Sequence, residues 1–148
     1  MLQPMAHSKV KALKGVPLFA KLSKSELEHV AGNADQVDVK AGQKLTTQGR
    51  PADSFYVILD GEAEVEIDGE SRRTLKAGDF FGEISMLDRG PATATVKTKK
   101  DSQLLVMSHS QFRDTIKGSD ALLIKVLLAM GERLRADLEK AQRKARKS

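Results

Sequence analysis

The sequence predicts a mainly β protein: a jelly roll of about eight short strands between a short N-terminal helix and a long C-terminal one. Two changes of period and a set of turn pairs carry that reading. Apolar residues pass from helical spacing to alternation at about Asp35, and return to helical spacing after Ser108. Between those points, Asp60-Gly61, Asp68-Gly69 and Lys76-Ala77-Gly78-Asp79 separate runs rich in aromatic and β-branched residues.

Residues 1–15 are polar and weakly patterned, a loose lead-in or a short helix. VPLFAKLSKSELEHVAGNA follows. Ser23 with Glu26 three positions on is a capping box, and Leu22 with Leu27 a hydrophobic staple. A helix is therefore expected from about Lys24 to Ala31, ended by Gly32-Asn33. QVDVKAGQKLTTQG is read as two strands around Ala41-Gly42, and Pro51 opens a loop. SFYVILDGEAEVEIDGESRRTL is the strongest β signal. Ala63, Val65 and Ile67 alternate with Glu62, Glu64 and Glu66, so one sheet face is buried and the other wet. ATATVKT and QLLVMS supply two later strands. HSQFRDTIK forms a short amphipathic helix ended by Gly118, and Ser119-Asp120 starts a helix reaching at least Gln142. Leu123, Leu127, Met130, Leu134, Leu138 and Ala141 recur along it at steps of three and four. Gly131 weakens it locally by about 1 kcal/mol relative to alanine. The expected division is a lead-in over 1–15, the jelly roll over 16–118, and the helix with its basic tail over 119–148.

At 148 residues the chain can bury a core of its own. It has no cysteine, which excludes disulfides and thiolate chemistry. The longest apolar stretch, Ala121 to Met130, is interrupted by Lys125, and the first twenty residues lack a signal peptide's apolar run. A cytoplasmic protein with no membrane partner is expected. The net charge of +5 is concentrated at one end. From Glu132 onward there are seven Lys or Arg and three acids, whereas residues 51–70 hold seven acids and no base. Such a tail is read as a solvated helix end, which argues against DNA as a partner. No second helical pair follows that could form a helix-turn-helix.

The segment FFGEISMLDRGPATATV, Phe80 to Val96, joins a Gly-Glu turn, one apolar helical turn and a strand of small residues. Backbone amides at such a turn can hold a phosphate, and a neighbouring carboxylate can take a ribose hydroxyl. With VPLFAKLS, the Gly42 turn, FYVILDGEAEV, LKAGDFFGEISML, PATATV and the final helix in this order, the chain resembles a cyclic-nucleotide-binding domain. That is the module of cAMP receptor proteins, cyclic-nucleotide-dependent kinases and cyclic-nucleotide-gated channels. The resemblance covers about Val16 to Leu138 and makes 80–96 the phosphate-binding cassette. It implies cAMP or cGMP as candidate ligand and no required cofactor. Phe81 and Gly82 would form the turn, with Gly82 letting the backbone approach the ligand. Glu83 would accept a hydrogen bond from the ribose 2′-hydroxyl, and Ile84 and Ser85 would offer backbone amides. Thr93 and Ala94 would meet the cyclic phosphate or the base, and a threonine at this place resembles the cGMP-dependent kinase pattern.

One position departs from that pattern. The family reads Pro-Arg before the small residues, and the arginine forms a charge-assisted fork with the phosphate. Here the string is Pro91-Ala92-Thr93-Ala94. Removing one member of a buried charge pair costs about 2–5 kcal/mol. Arg89 is the nearest replacement, three residues earlier in a loop. Two readings stay open: a non-catalytic sensor of cyclic nucleotide, and a degenerate domain that binds none and serves as a dimerisation or interaction scaffold. A stand-alone relative of a transcription regulator is a third, lacking a reading helix.

Other constellations carry less. His7, His29 and His109 lie far apart with no ligand spacing, so no metal is expected. The acidic run at 62, 64 and 66 is a wet strand face. No serine sits in a nucleophile turn, and no histidine falls on a predicted strand as a cupin enzyme would need, so no catalysis is expected. The first half of the last helix is apolar on several faces, since Leu122, Ile124, Val126 and Leu128 join the stripe. One face can cover the barrel while another, over residues 120–141, pairs with a second copy. Any output would pass through that helix to an effector protein.

Overall fold

A computed structural model describes residues 3–147, with side chains from Lys9 onward. Met1, Leu2, Ser148 and the side chain of His7 lie outside the described residues. The strands are β1 (Asp35–Val39), β2 (Lys44–Thr46), β3 (Ser54–Asp60), β4 (Glu62–Ile67), β5 (Glu70–Lys76), β6 (Phe80–Phe81), β7 (Thr95–Thr98) and β8 (Ser102–Ser108). They make two antiparallel sheets of four, ordered β1-β8-β3-β6 and β2-β7-β4-β5. Helices α1 (Gln3–Lys14), α2 (Lys24–Gly32), α3 (Glu83–Asp88), α4 (His109–Lys117) and α5 (Asp120–Lys147) flank them, with a 3-10 turn at Pro17–Phe19. This is the mainly β, helix-flanked fold that the changes of period predict.

Burial explains why some strands alternate and others do not. Ile58, Ala63, Val65, Leu75, Phe81, Val96 and Leu104 fill the space between the two sheets. The opposite face of β3 and β8, with Phe55, Val57, Leu105 and Met107, packs under the helices against Leu13, Phe19, Val30, Phe112, Leu122 and Val126. Strands β3 and β8 are thus covered on both faces and are continuously apolar in sequence. Strand β4 is covered on one face only; Ala63 and Val65 are buried, and its glutamates are half-buried at the outer side.

Local chemistry sets the ends of the elements. The Asp68-Gly69 hairpin takes positive φ at both residues, 54° and 79°, as a tight two-residue turn requires. The Ser23 side chain accepts from the Glu26 amide at 3.1 Å, and the Glu26 carboxylate accepts from the Ser23 amide at 2.9 Å. Leu22 and Leu27 beside that box are buried. A second capping box, Ser108 with Gln111, starts α4. Ser119 starts α5 by accepting from the Leu122 amide at 3.2 Å, while its hydroxyl donates to Glu26 at 2.6 Å. The Ser119 hydroxyl, aided by the Ser23 amide, holds the Glu26 carboxyl below its ordinary range. Leu13 of α1 is fully buried, so the expected lead-in is a helix whose last turns are packed.

Candidate functional site

The Gly-Glu turn closes β6 and opens α3. Gly82 sits at φ 89°, a left-handed backbone, and a Cβ there would lie 2.6 Å from the Ser54 carbonyl oxygen of β3. The fold alone therefore requires glycine at 82, apart from any ligand. Phe80 and Phe81, consecutive on β6, face opposite sides of the sheet. Phe80 joins the helical core and Phe81 stacks on Tyr56, ring centres 4.6 Å apart, inside the barrel.

Between the cassette and the barrel is a cavity of about 130 Å³. Phe81, Gly82, Glu83, Ile84, Ser85, Ala92, Thr93 and Ala94 all line it, with Val65, Ile67, Leu75 and Val96 as its apolar wall. Glu83 is 5 % exposed and Ala92 is 7 % exposed, whereas Ile84 is 42 % exposed and only edges the space. Ser85 is buried, and its hydroxyl donates to the Pro91 carbonyl at 3.2 Å, pinning the segment that follows α3 back onto the helix. The backbone of Ala92 is also committed. Its amide donates to the Arg50 carbonyl, and its carbonyl accepts from the Gly49 amide, both at 2.9 Å.

Arg89 is the candidate that does not join this group. It ends α3 in a left-handed conformation, φ 58°, with its amide on the Ser85 carbonyl. That turn carries it to a separate groove with Pro51, Asp53, Gly90 and His109. Arg89 lines that groove and not the cavity beside the cassette.

Two other arginines line the cavity, and the sequence reading did not single out either. Arg133 of α5 donates from Nη1 to Glu83 Oε1 at 3.4 Å, and its guanidinium lies over the Phe80 ring, 4.5 Å from the centre. Arg73 of β5 donates to Asp137 of α5. Lys140 Nζ donates to the Arg72 carbonyl at 2.9 Å, and Lys144 lies 3.6 Å from Glu70. Residues 133, 137, 140 and 144 recur at steps of four and three, so one face of α5 runs over the cassette and along β5. That periodic polar face, flanking the apolar stripe, was the available sequence signal. Its partners lie tens of residues away and carry no mark of their own.

Among the described residues no cluster of His, Asp or Glu could hold a metal ion. None of the described helices is long and apolar enough to cross a membrane.

Comparison with known proteins gives these features a family. Residues 36–119 match the family described as cyclic nucleotide-binding domain. The chain is 33 % identical over 103 residues to the cAMP-dependent protein kinase regulatory subunit of Emericella nidulans, covering 68 % of this chain and 25 % of that protein. The chain thus spans about a quarter of that relative's length. In structure it is similar to the catabolite activator protein of Thermus thermophilus, with a TM-score of 0.75 and 25 % identity over 84 % of this chain and 62 % of that one. It shares its fold with the regulatory subunit of a cAMP-independent protein kinase A from Trypanosoma cruzi, solved bound to guanosine, at TM-score 0.67 and 22 % identity, covering 78 % and 42 %. The cassette residues 81–94 that line the cavity lie inside the matched segment, and the chain belongs to the cyclic nucleotide-binding domain family.

Proposed function

We propose that this chain is a non-catalytic regulatory module of the cytoplasm, whose cavity takes a purine nucleotide or nucleoside and whose helix α5 answers it. The observation that carries this reading is the Arg133–Glu83 pair. Glu83 is the carboxylate suited to a ribose hydroxyl, and it is also the point at which α5 is tied to the cassette. A ligand hydroxyl at Glu83 competes with, or adds to, the Arg133 contact. Either change alters the relative stability of two α5 positions, which is all that a ligand-driven shift requires. cAMP and cGMP are the candidates by family, while the same fold in the Trypanosoma cruzi protein holds guanosine.

A second property rests on a different observation. Ile124, Leu127, Leu134 and Leu138 are 52–61 % exposed, and with Gly131 and Ala141 they follow steps of three and four along α5. That is the seam of a two-stranded coiled coil, so α5 is proposed to pair with a second copy and to pass the signal to an effector protein. The basic residues Lys140 and Lys144 contact β5 instead of standing free for DNA.

The experiment is a ligand titration of the 148-residue chain followed by amide NMR shifts. Ribose ligands are expected to shift both the cassette amides and those of 133–140, and the 2′-deoxy forms to bind at least about tenfold more weakly. Cassette shifts without any in α5 would remove the helix from the response. No saturable shift with any ribose ligand would leave the scaffold reading in its place.

A further inference from the structure

We propose that the cavity is built for an uncharged ribonucleoside in preference to a cyclic nucleotide, because its lining is already charge-balanced and Ala92 stands where a phosphate would need a cation. This deepens the reading of the cavity as a nucleoside pocket and rests on it. Four ionisable side chains line the space, and they form two internal pairs, Arg133 with Glu83 and Arg73 with Asp137. Each arginine already has its carboxylate, so the cavity presents no net positive charge to an entering anion.

Two further sources of positive potential are turned elsewhere. Arg89 opens on a different groove, and the Ala92 amide is bonded to the Arg50 carbonyl. Helix α3 has only six residues, too short for its dipole to replace an ionic partner. The apolar wall of the same cavity includes Val65, Leu75, Phe81 and Val96. A phosphate monoanion seated there would lose its water and gain no counter-charge, a desolvation cost that an uncharged ligand does not bear. To recruit Arg73 or Arg133, it would have to leave Asp137 or the buried Glu83 without its partner. A nucleoside keeps both ion pairs and still offers ribose hydroxyls to Glu83 and a flat base to the apolar wall.

Calorimetric titration of the 148-residue chain with guanosine, adenosine, cGMP and cAMP decides the matter. At least one nucleoside is expected to bind about tenfold or more tightly than the cyclic nucleotide carrying the same base. Its affinity should change little between low and high salt, as befits an uncharged ligand. Ala92→Arg is expected to raise cyclic-nucleotide affinity at least about tenfold and to leave nucleoside affinity within about threefold. A cyclic nucleotide that binds the unaltered chain as tightly as its nucleoside overturns the inference and leaves the pocket reading standing. Saturation by neither class overturns both. An Ala92→Arg protein that melts cooperatively yet gains nothing toward cyclic nucleotides removes Ala92 from its assigned place.

Discussion

The two halves of α5 are held to the domain by different forces. In the first half Leu122 and Val126 are each 2 % exposed, and Ala129 and Met130 pack partly against the same core. In the second half Leu134 and Leu138 are 61 % and 55 % exposed, and the inward contacts are Arg133 to Glu83, Arg73 to Asp137, and the lysines at 140 and 144. Apolar burial is not screened by salt as charge pairs are, and undoing it costs in proportion to the area exposed. Ion pairs at a partly exposed face are screened, compete with water and with ligands, and reform in new registers. One continuous helix thus has a fixed root and a releasable end, and the releasable end covers the cavity.

The largest test of this division is at the root. Leu122→Ala is expected to cost about 2–4 kcal/mol, read as a lowered midpoint in urea unfolding, because it opens a cavity between α5 and the sheet. A loss below about 1 kcal/mol would mean that the root is not packed as described. At the other end, Arg133→Ala leaves Glu83 buried without its ionic partner. It is expected to cost about 1–3 kcal/mol. Hydrogen exchange should rise over residues 134–147 and stay unchanged over 120–130. Equal acceleration in both stretches would abolish the distinction between root and end.

The smallest effect concerns the one charge inside the root. Lys125 Nζ is buried without a hydrogen-bond partner, and burial, together with Lys21 nearby, pushes its pKa below the ordinary 10.5 against a smaller opposing pull from Glu26. Lys125→Met is expected to stabilise the fold by about 1 kcal/mol at neutral pH, measured by thermal melting. Because the folded state releases this proton more readily than the unfolded chain, the unfolded chain binds more protons between the two pKa values. Stability of the unaltered protein should therefore rise relative to Lys125→Met as pH climbs toward 10.5. A gap that widens with pH would contradict the burial of this amine.

Much of the barrel was legible in the chain because its rules are local. Alternation at Ala63, Val65 and Ile67, the Ser23–Glu26 box and the Asp68-Gly69 turn each depend on neighbours a few residues apart. Strand β6 was not legible: Phe80–Phe81 is two residues long, too short to show a period. The α5 stripe read from sequence is mostly outward, with Leu127, Leu134 and Leu138 exposed and Met130 partly packed on the core, while Leu122 and Val126 beside it are the buried residues. An apolar run with polar residues at few positions does not say which side meets the core. Within the candidate site, the cassette residues from Phe81 to Ala94 came from the family resemblance carried by one contiguous motif, but Arg73, Arg133 and Asp137 did not. The pairs Arg133–Glu83 and Arg73–Asp137 span 50 and 64 residues, and only the closed sheet topology brings them together.

The opposite facing of Phe80 and Phe81 has a mechanical consequence. Phe81 forms part of the cavity wall, and Phe80, one bond along the chain, carries Arg133 on its ring. Gly82 follows at once and begins the cassette. Cavity wall, helix contact and cassette start are therefore carried by three consecutive residues, so a tilt of that short strand would move all three together.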